Sequence, residues 1–175
     1  VMAMLIAWHT LNKLADRQAR KFGDAFLIVT PGITIRDRLQ VLQPNNPGNY
    51  YQQLDIVPPS DFALLGQAKI LITNYHAFLP REHTKAGRLT KDLLATTGAA
   101  SPFTETPGQM VKRVCGAFGS KKGVIVINDE AHHCYHPKPD VKMTKLEDED
   151  LREIQALEEE ARVWLNGLEA VQQKI

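Results

Sequence analysis

Apolar and polar positions alternate between two periods along this chain. Over residues 1–22 the apolar residues Met4, Leu5, Trp8, Leu11, either Leu14 or Ala15, and Ala19 recur at helical spacing. Lys13, Asp16, Arg17, Arg20 and Lys21 fall largely on the other face, and Gly23 is a stop signal. Ala-Phe-Leu-Ile-Val-Thr at 25–30 reads as a buried strand. Pro31-Gly32 reads as a turn, and 33–42 as a short helix exposing Arg36, Asp37 and Arg38. A Pro- and Asn-rich loop (43–48) leads to an extended segment at 50–57. Pro58-Pro59 breaks that segment, and Ser60 is placed to cap a short helix through Leu65. Lys-Ile-Leu-Ile-Thr at 69–73 is a second strand-like run.

Residues 74–120 contain no clear strand. Helical patterns at 88–96 and 109–118 are separated by Gly, Ala, Ser and Pro, so the stretch reads as a semi-independent insertion at 75–120. Val124, Ile125, Val126 and Ile127 follow Gly123 with no polar face and β-branched side chains, which predicts a buried strand running to Asn128. After a loop at 137–145, residues 148–174 predict a long amphipathic helix. Its stripe is Ile154, Leu157, Ala161, either Trp164 or Leu165, Leu168 and Val171, while Glu158, Glu159 and Glu160 lie mainly on a solvated face. Helices alternating with short buried strands predict an α/β fold with a parallel sheet covered on both faces.

Composition narrows the function. A length of 175 residues is one domain's worth of chain. The 21 basic residues nearly balance the 20 acidic ones, so contact with nucleic acid must come from local groups and not from bulk charge. Two cysteines, Cys115 and Cys134, make no disulfide framework and fit a reducing cytoplasm. No stretch approaches the roughly 18 apolar residues of a membrane span. The apolar start, residues 1–8, is too short for a signal peptide and lacks a cationic leader. Val1 already lies inside a helical pattern with no cap before it, as expected of a piece cut from a larger protein.

The candidate chemistry lies at the end of the third strand. Val124-Ile125-Val126-Ile127-Asn128 runs into Asp129-Glu130-Ala131-His132-His133. Adjacent carboxylates at a strand's C-terminal end sit where open α/β sheets bind ligands. The tetrad Asp-Glu-Ala-His arises by chance in about one chain in a thousand of this length, and its place after an apolar strand makes it more specific. A bland alternative has Asp129 and Glu130 merely opening a polar loop. Another gathers His132, His133, Cys134 and His136 around a transition metal, although their spacing matches no paired-ligand pattern. Taken singly, Thr30-Pro31-Gly32 is an ordinary turn and Thr73-Asn74 a helix cap after a strand.

The ordered set says more. Phe26-Leu27-Ile28-Val29-Thr30-Pro31-Gly32, then Ile70-Leu71-Ile72-Thr73-Asn74-Tyr75-His76-Ala77-Phe78, then Val126-Ile127-Asn128-Asp129-Glu130-Ala131-His132-His133 resembles the first motor lobe of superfamily 2 DEAH-box helicases and translocases. Asn-Asp-Glu-Ala-His-His and Ala161-Arg162-Val163-Trp164-Leu165-Asn166-Gly167-Leu168-Glu169-Ala170 look most like the motor subunit of type III restriction enzymes. The resemblance implies a three-layer RecA-like P-loop NTPase fold with a mainly parallel sheet, covering residues 1–175 as a partial first motor domain. It implies ATP and Mg²⁺ as cofactors, with Asp129 holding Mg²⁺ through water, Glu130 activating the attacking water and His132 sensing the nucleotide. Thr30, Pro31, Gly32, Thr73 and Asn74 would contact the nucleic-acid backbone without reading bases, and Arg36 and Arg38 could add phosphate contacts. The implied partners are double-stranded DNA and a methyltransferase subunit that supplies specificity, with no membrane. The parent protein would hydrolyse ATP.

The chain departs from that family in one large respect. It contains no Gly-x-x-x-x-Gly-Lys-Ser/Thr, so the phosphate-cradling lysine and hydroxyl are missing and the fold is expected to be incomplete, without the phosphate-loop strand. The same gap keeps open an inactive nucleic-acid or protein binding module. A metal-dependent hydrolase using Asp129, Glu130, His132, His133 and His136 is a third candidate.

Overall fold

A computed structural model describes residues 1–81, 104–121, 123–131 and 148–174, with side chains in the last stretch from 158 onward. Helix α1 (Met2–Ala15) leads into strand β1 (Ala25–Thr30), followed by α2 (Ile33–Arg38), α3 (Tyr50–Gln53), α4 (Pro59–Leu65) and β2 (Lys69–Asn74). Beyond these come α5 (Pro107–Cys115), β3 (Ile125–Asn128) and the long α6 (Asp148–Lys174). The three strands form one parallel sheet in the order β2-β1-β3. The molecule is therefore α/β with a small parallel sheet, as the alternation of periods predicts. Parallel neighbours need crossover connections, which the intervening helices supply.

All six residues of β1 are buried, and they alternate between two cores. Phe26 and Ile28 pack with Ile6 and Ala7 of α1, Tyr51 and Leu65, whereas Leu27 and Val29 pack with Tyr75, Phe78, Val111, Phe118 and Trp164. Successive side chains on a strand point to opposite faces, so one central strand organises both layers.

Several local expectations are corrected. Helix α1 stops at Ala15, not at Phe22. The Asp16 carboxylate accepts from the Gln18 and Ala19 amides at 3.0 and 3.2 Å, which gives the backbone a turn in place of the helix. The buried face of α1 is Ala3, Ile6, Ala7 and Thr10, while Met4, Leu5 and Trp8 are exposed. This helix is apolar nearly all round, and its small residues sit against the sheet. Residues 50–57 are not extended: Asn49 accepts from the Gln52 amide and starts the one-turn helix α3. Ser60 is not a cap. Pro58 takes that place, Pro59 occupies the first turn, where its missing N–H costs nothing, and Ser60 donates to Asp61. Helix α5 starts two residues before the expected 109, because Thr106 and Gln109 form a reciprocal capping box.

The stretch expected as an insertion contributes to the core at both of its described flanks, through Tyr75 and Phe78 on one side and Met110, Val111, Cys115 and Phe118 on the other. Arg113 fastens the flanks together. Its guanidinium donates to both oxygens of the buried Glu105 at 2.8 and 2.7 Å and to the Ala77 and Leu79 carbonyls. The expected helix at 88–96 and loop at 137–145 lie outside the described residues. Among the described residues no helix is long and apolar enough to cross a membrane.

Candidate functional site

The C-terminal ends of the three strands lie side by side. Thr30 is in register with Asn74, and Val29 with both Thr73 and Asn128. The three segments singled out by sequence thus finish on one edge of the sheet, with β1 between the other two. Neighbouring strands are about 4.8 Å apart, which puts the ends of β2 and β3 about 10 Å from each other. The Asp129 amide donates to the Val29 carbonyl at 2.9 Å, so the ladder continues one residue past β3 and fixes where the acid pair begins.

Sequence predicts β3 as a buried strand from Val124. It begins at Ile125, lies at the sheet's edge among the described residues and leaves Val126 40% exposed. An all-apolar run does not distinguish a central strand from an edge strand, because only the number of neighbours decides that. After Asn128 the backbone turns sharply, and Glu130 adopts φ +55°. A left-handed backbone at a residue other than glycine is strained and clusters at functional sites.

Asp129 is half-buried and Glu130 exposed. Burial first, and then the charge of Glu130, push the Asp129 carboxyl above the usual carboxylate range, while a backbone hydrogen bond from Glu130 works the other way. A cation between the two carboxylates removes the like-charge cost, so this donor set fits a hard divalent ion such as Mg²⁺ with water completing its shell. It does not fit a nucleotide's phosphates by itself, because the sequence has no phosphate-cradling glycine loop with its lysine. Among the described residues no three His, Cys, Asp or Glu side chains come together as a metal cluster. His132, expected as the nucleotide sensor, and the His133, Cys134 and His136 alternative lie outside the described residues.

The strand ends expected to meet a phosphate backbone differ in what they offer. Thr30 is fully buried, and its hydroxyl donates to the Gly32 carbonyl at 3.0 Å and the Thr73 carbonyl at 3.4 Å. It pins the turn and ties β1 to β2. Pro31, Gly32, Thr73 and Asn74 are half-buried and reach the surface. A β-carbon at Gly32 would meet nothing within 4 Å, so this position has room for a close approach. Arg36 is engaged by the carboxylate of Asp37 at 2.8 and 3.0 Å, which offsets its charge toward any phosphate.

Sequence reasoning missed the support beneath these ends. The Trp164 ring of α6 stacks on Tyr75, with centroids 5.2 Å apart and planes 5° from parallel, and its Nε1–H donates to Asn128 Oδ1 at 3.4 Å. Burial first, and then Glu160, one turn earlier on α6, push the Tyr75 hydroxyl above its ordinary value. The apolar stripe of α6 left Trp164 and Leu165 as alternatives, and Trp164 is the fully buried one. Nothing in the sequence pairs Trp164 with strand ends so distant along the chain.

No protein-family profile, curated protein or solved structure matches the chain.

Proposed function

We propose that this chain is part of the first motor lobe of a DNA-dependent ATPase of the DEAH superfamily 2 kind, from a type III-like restriction system, with a RecA-like P-loop fold lacking its phosphate-loop strand. One observation carries the reading: the Thr30-Pro31-Gly32, Thr73-Asn74 and Asp129-Glu130 segments finish on one edge of a parallel sheet, where α/β folds bind ligands. In the parent protein, Asp129 holds Mg²⁺ through water, Glu130 orients a water, and His132 communicates the nucleotide state. Pro31, Gly32, Thr73 and Asn74 line the path of a phosphate backbone, with Thr30 setting the turn. Mg²⁺ supplies charge neutralisation at a transferring phosphoryl group. The partners are double-stranded DNA and a methyltransferase subunit that supplies sequence recognition, in the cytoplasm.

Duplex binding tests the nucleic-acid part. Labelled duplexes of unrelated sequence are expected to bind alike, with affinity that falls steeply as salt rises, and Asn74→Ala to weaken all of them equally. Absence of duplex binding at low salt overturns it. The coding sequence directly upstream of Val1 tests the ATPase part. A Gly-x-Gly-Lys-Ser/Thr run ending there supports a motor. A start codon or unrelated sequence overturns it and favours an inactive binding module. The chain by itself is expected to show no appreciable ATPase activity, and nucleotide-stimulated phosphate release that vanishes on Glu130→Gln would sink that expectation.

A further inference from the structure

The ends of β2 and β3 are separated by β1, and Thr73 and Asn128 flank the same Val29. Trp164 passes beneath β1 and touches what lies on either side. It packs in the core that holds Val29, is fully buried, and has Tyr75 flat against its ring. Tyr75 is the residue after Asn74, and Asn128 is the residue before Asp129. At 3.4 Å the indole bond to Asn128 is near the limit for such contacts, so it is sensitive to the position of Asn128. Trp164 thus joins the two strand ends through one packed, contiguous set of side chains, the kind of network that carries coupling between sites.

We propose that Trp164 is a positioning residue that links the two ligand-bearing strand ends, tying Asn128 beside the acid pair to Tyr75 beside Asn74. A phosphate backbone on the β2 end and a divalent cation at the β3 end then alter one another's affinity. The proposal rests on the nucleic-acid and cation assignments above. By linkage the effect is reciprocal, whichever ligand binds first.

The test uses the full chain carrying Trp8→Phe. Trp8 is exposed and is the other of the two tryptophans, so a single indole N–H resonance remains, that of Trp164. The probes are Mg²⁺ alone and a short duplex DNA, with duplex binding followed separately by its anisotropy. Each ligand is expected to move the indole resonance, and the Mg²⁺ midpoint to fall about fivefold at saturating duplex. Tyr75→Leu removes the ring and is expected to abolish that fivefold change. Tyr75→Phe keeps the ring and is expected to preserve it, which a purely structural role for the tyrosine would not require. Asn128→Ala, which removes the indole's acceptor from a half-buried site, tests the link from the other end and is also expected to abolish the change. The backbone amide spectrum checks that each variant is folded. A duplex that fails to bind overturns the nucleic-acid assignment together with this link, and an indole resonance indifferent to Mg²⁺ does the same for the cation assignment. A duplex and Mg²⁺ that both bind without affecting each other, or a coupling unchanged in both Tyr75→Leu and Asn128→Ala, overturns the link alone.

Discussion

Strands β1 and β3 are written in nearly the same alphabet, Ala-Phe-Leu-Ile-Val-Thr and Ile-Val-Ile-Asn, yet they occupy opposite extremes of support. β1 has a strand on each side and a helical layer on each face, and every residue is buried. Among the described residues β3 pairs on one side only, and apart from the Trp164 contact at Asn128 it is separated from α6 by a trough of about 530 Å³ lined by Val124, Val126, Leu165 and Leu168 among others. The other edge strand, β2, is better protected: the Gln43 side chain donates to the Ile70 carbonyl at 2.9 Å, and the Lys69 ammonium to the carbonyls of Ala117 and Phe118. Among the described residues the strand that runs into Asp129 and Glu130 is therefore the least supported of the three.

The largest effect expected is on β1. Leu27→Ala empties a fully buried site and should lower stability by about 2–5 kcal/mol. Val126→Ala on β3, at a position 40% exposed, should cost less than about 1 kcal/mol. Denaturant midpoints of the two variants decide the matter, and equal losses would mean that β3 is as well packed as β1.

Helix α6 makes the same contrast from above. It touches β3 through Trp164 and Asn128 but meets the segment after β2 so closely that a β-carbon on Gly167 would overlap the side chain of Phe78. Alanine ordinarily favours a helix over glycine by about 1 kcal/mol. Here the clash reverses the sign, and Gly167→Ala should destabilise by about 1–3 kcal/mol in thermal melts. A stabilised variant would show that α6 can shift toward the β3 trough at little cost.

Much of this was legible because it depends on local pattern. The alternation of Phe26 and Ile28 against Leu27 and Val29, the helix at 148–174 and the strand before Asp129 all follow from period and side-chain type. The face of α1 was not legible. Met4, Leu5 and Trp8 and the alternative set Ala3, Ile6, Ala7 and Thr10 are both helically spaced, and only the fit of small residues against the sheet chooses between them. Asn49-x-x-Gln52 and Thr106-x-x-Gln109 are helix starts written in the sequence, and their signal was available to place α3 and α5. The Arg113–Glu105 pair and the Tyr75–Trp164–Asn128 contacts carry no local signature at all. They join elements far apart in sequence, and hydrophobic periodicity reports which face is buried but not what it meets.

A smaller effect is expected where β3 ends. Glu130 holds a left-handed backbone at φ +55°, which costs a residue with a β-carbon about 1 kcal/mol or somewhat more and glycine far less. Glu130→Gly should therefore melt slightly higher than Glu130→Ala, since both lose the same side chain and charge and only alanine keeps the β-carbon. The difference between the two variants isolates the backbone term. If the two variants melt alike, the left-handed backbone at this corner carries no measurable cost.

The smallest effect, and the one that most directly separates the end of β3 from that of β1, concerns Asp129. Burial and the neighbouring Glu130 raise its carboxyl above the unfolded value. The folded state therefore binds this proton more readily than the unfolded chain does. The stability contributed is fully present below the ordinary carboxylate range, near about pH 4, and is lost as pH rises through the raised folded value. At neutral pH the wild-type chain carries a cost that Asp129→Asn does not, so the variant should melt higher at about pH 7. The gap should close as pH falls below the carboxylate range. Because Asp129 is only half-buried, solvent keeps the gap modest. Millimolar Mg²⁺ should raise the melting point of the wild-type chain and leave that of the variant nearly unchanged, since the cation relieves the same repulsion that the substitution removes. A gap that widens in acid, or a variant that Mg²⁺ stabilises as strongly as the wild type, would mean that the Asp129 carboxylate is neither strained by its neighbour nor the group that holds the ion.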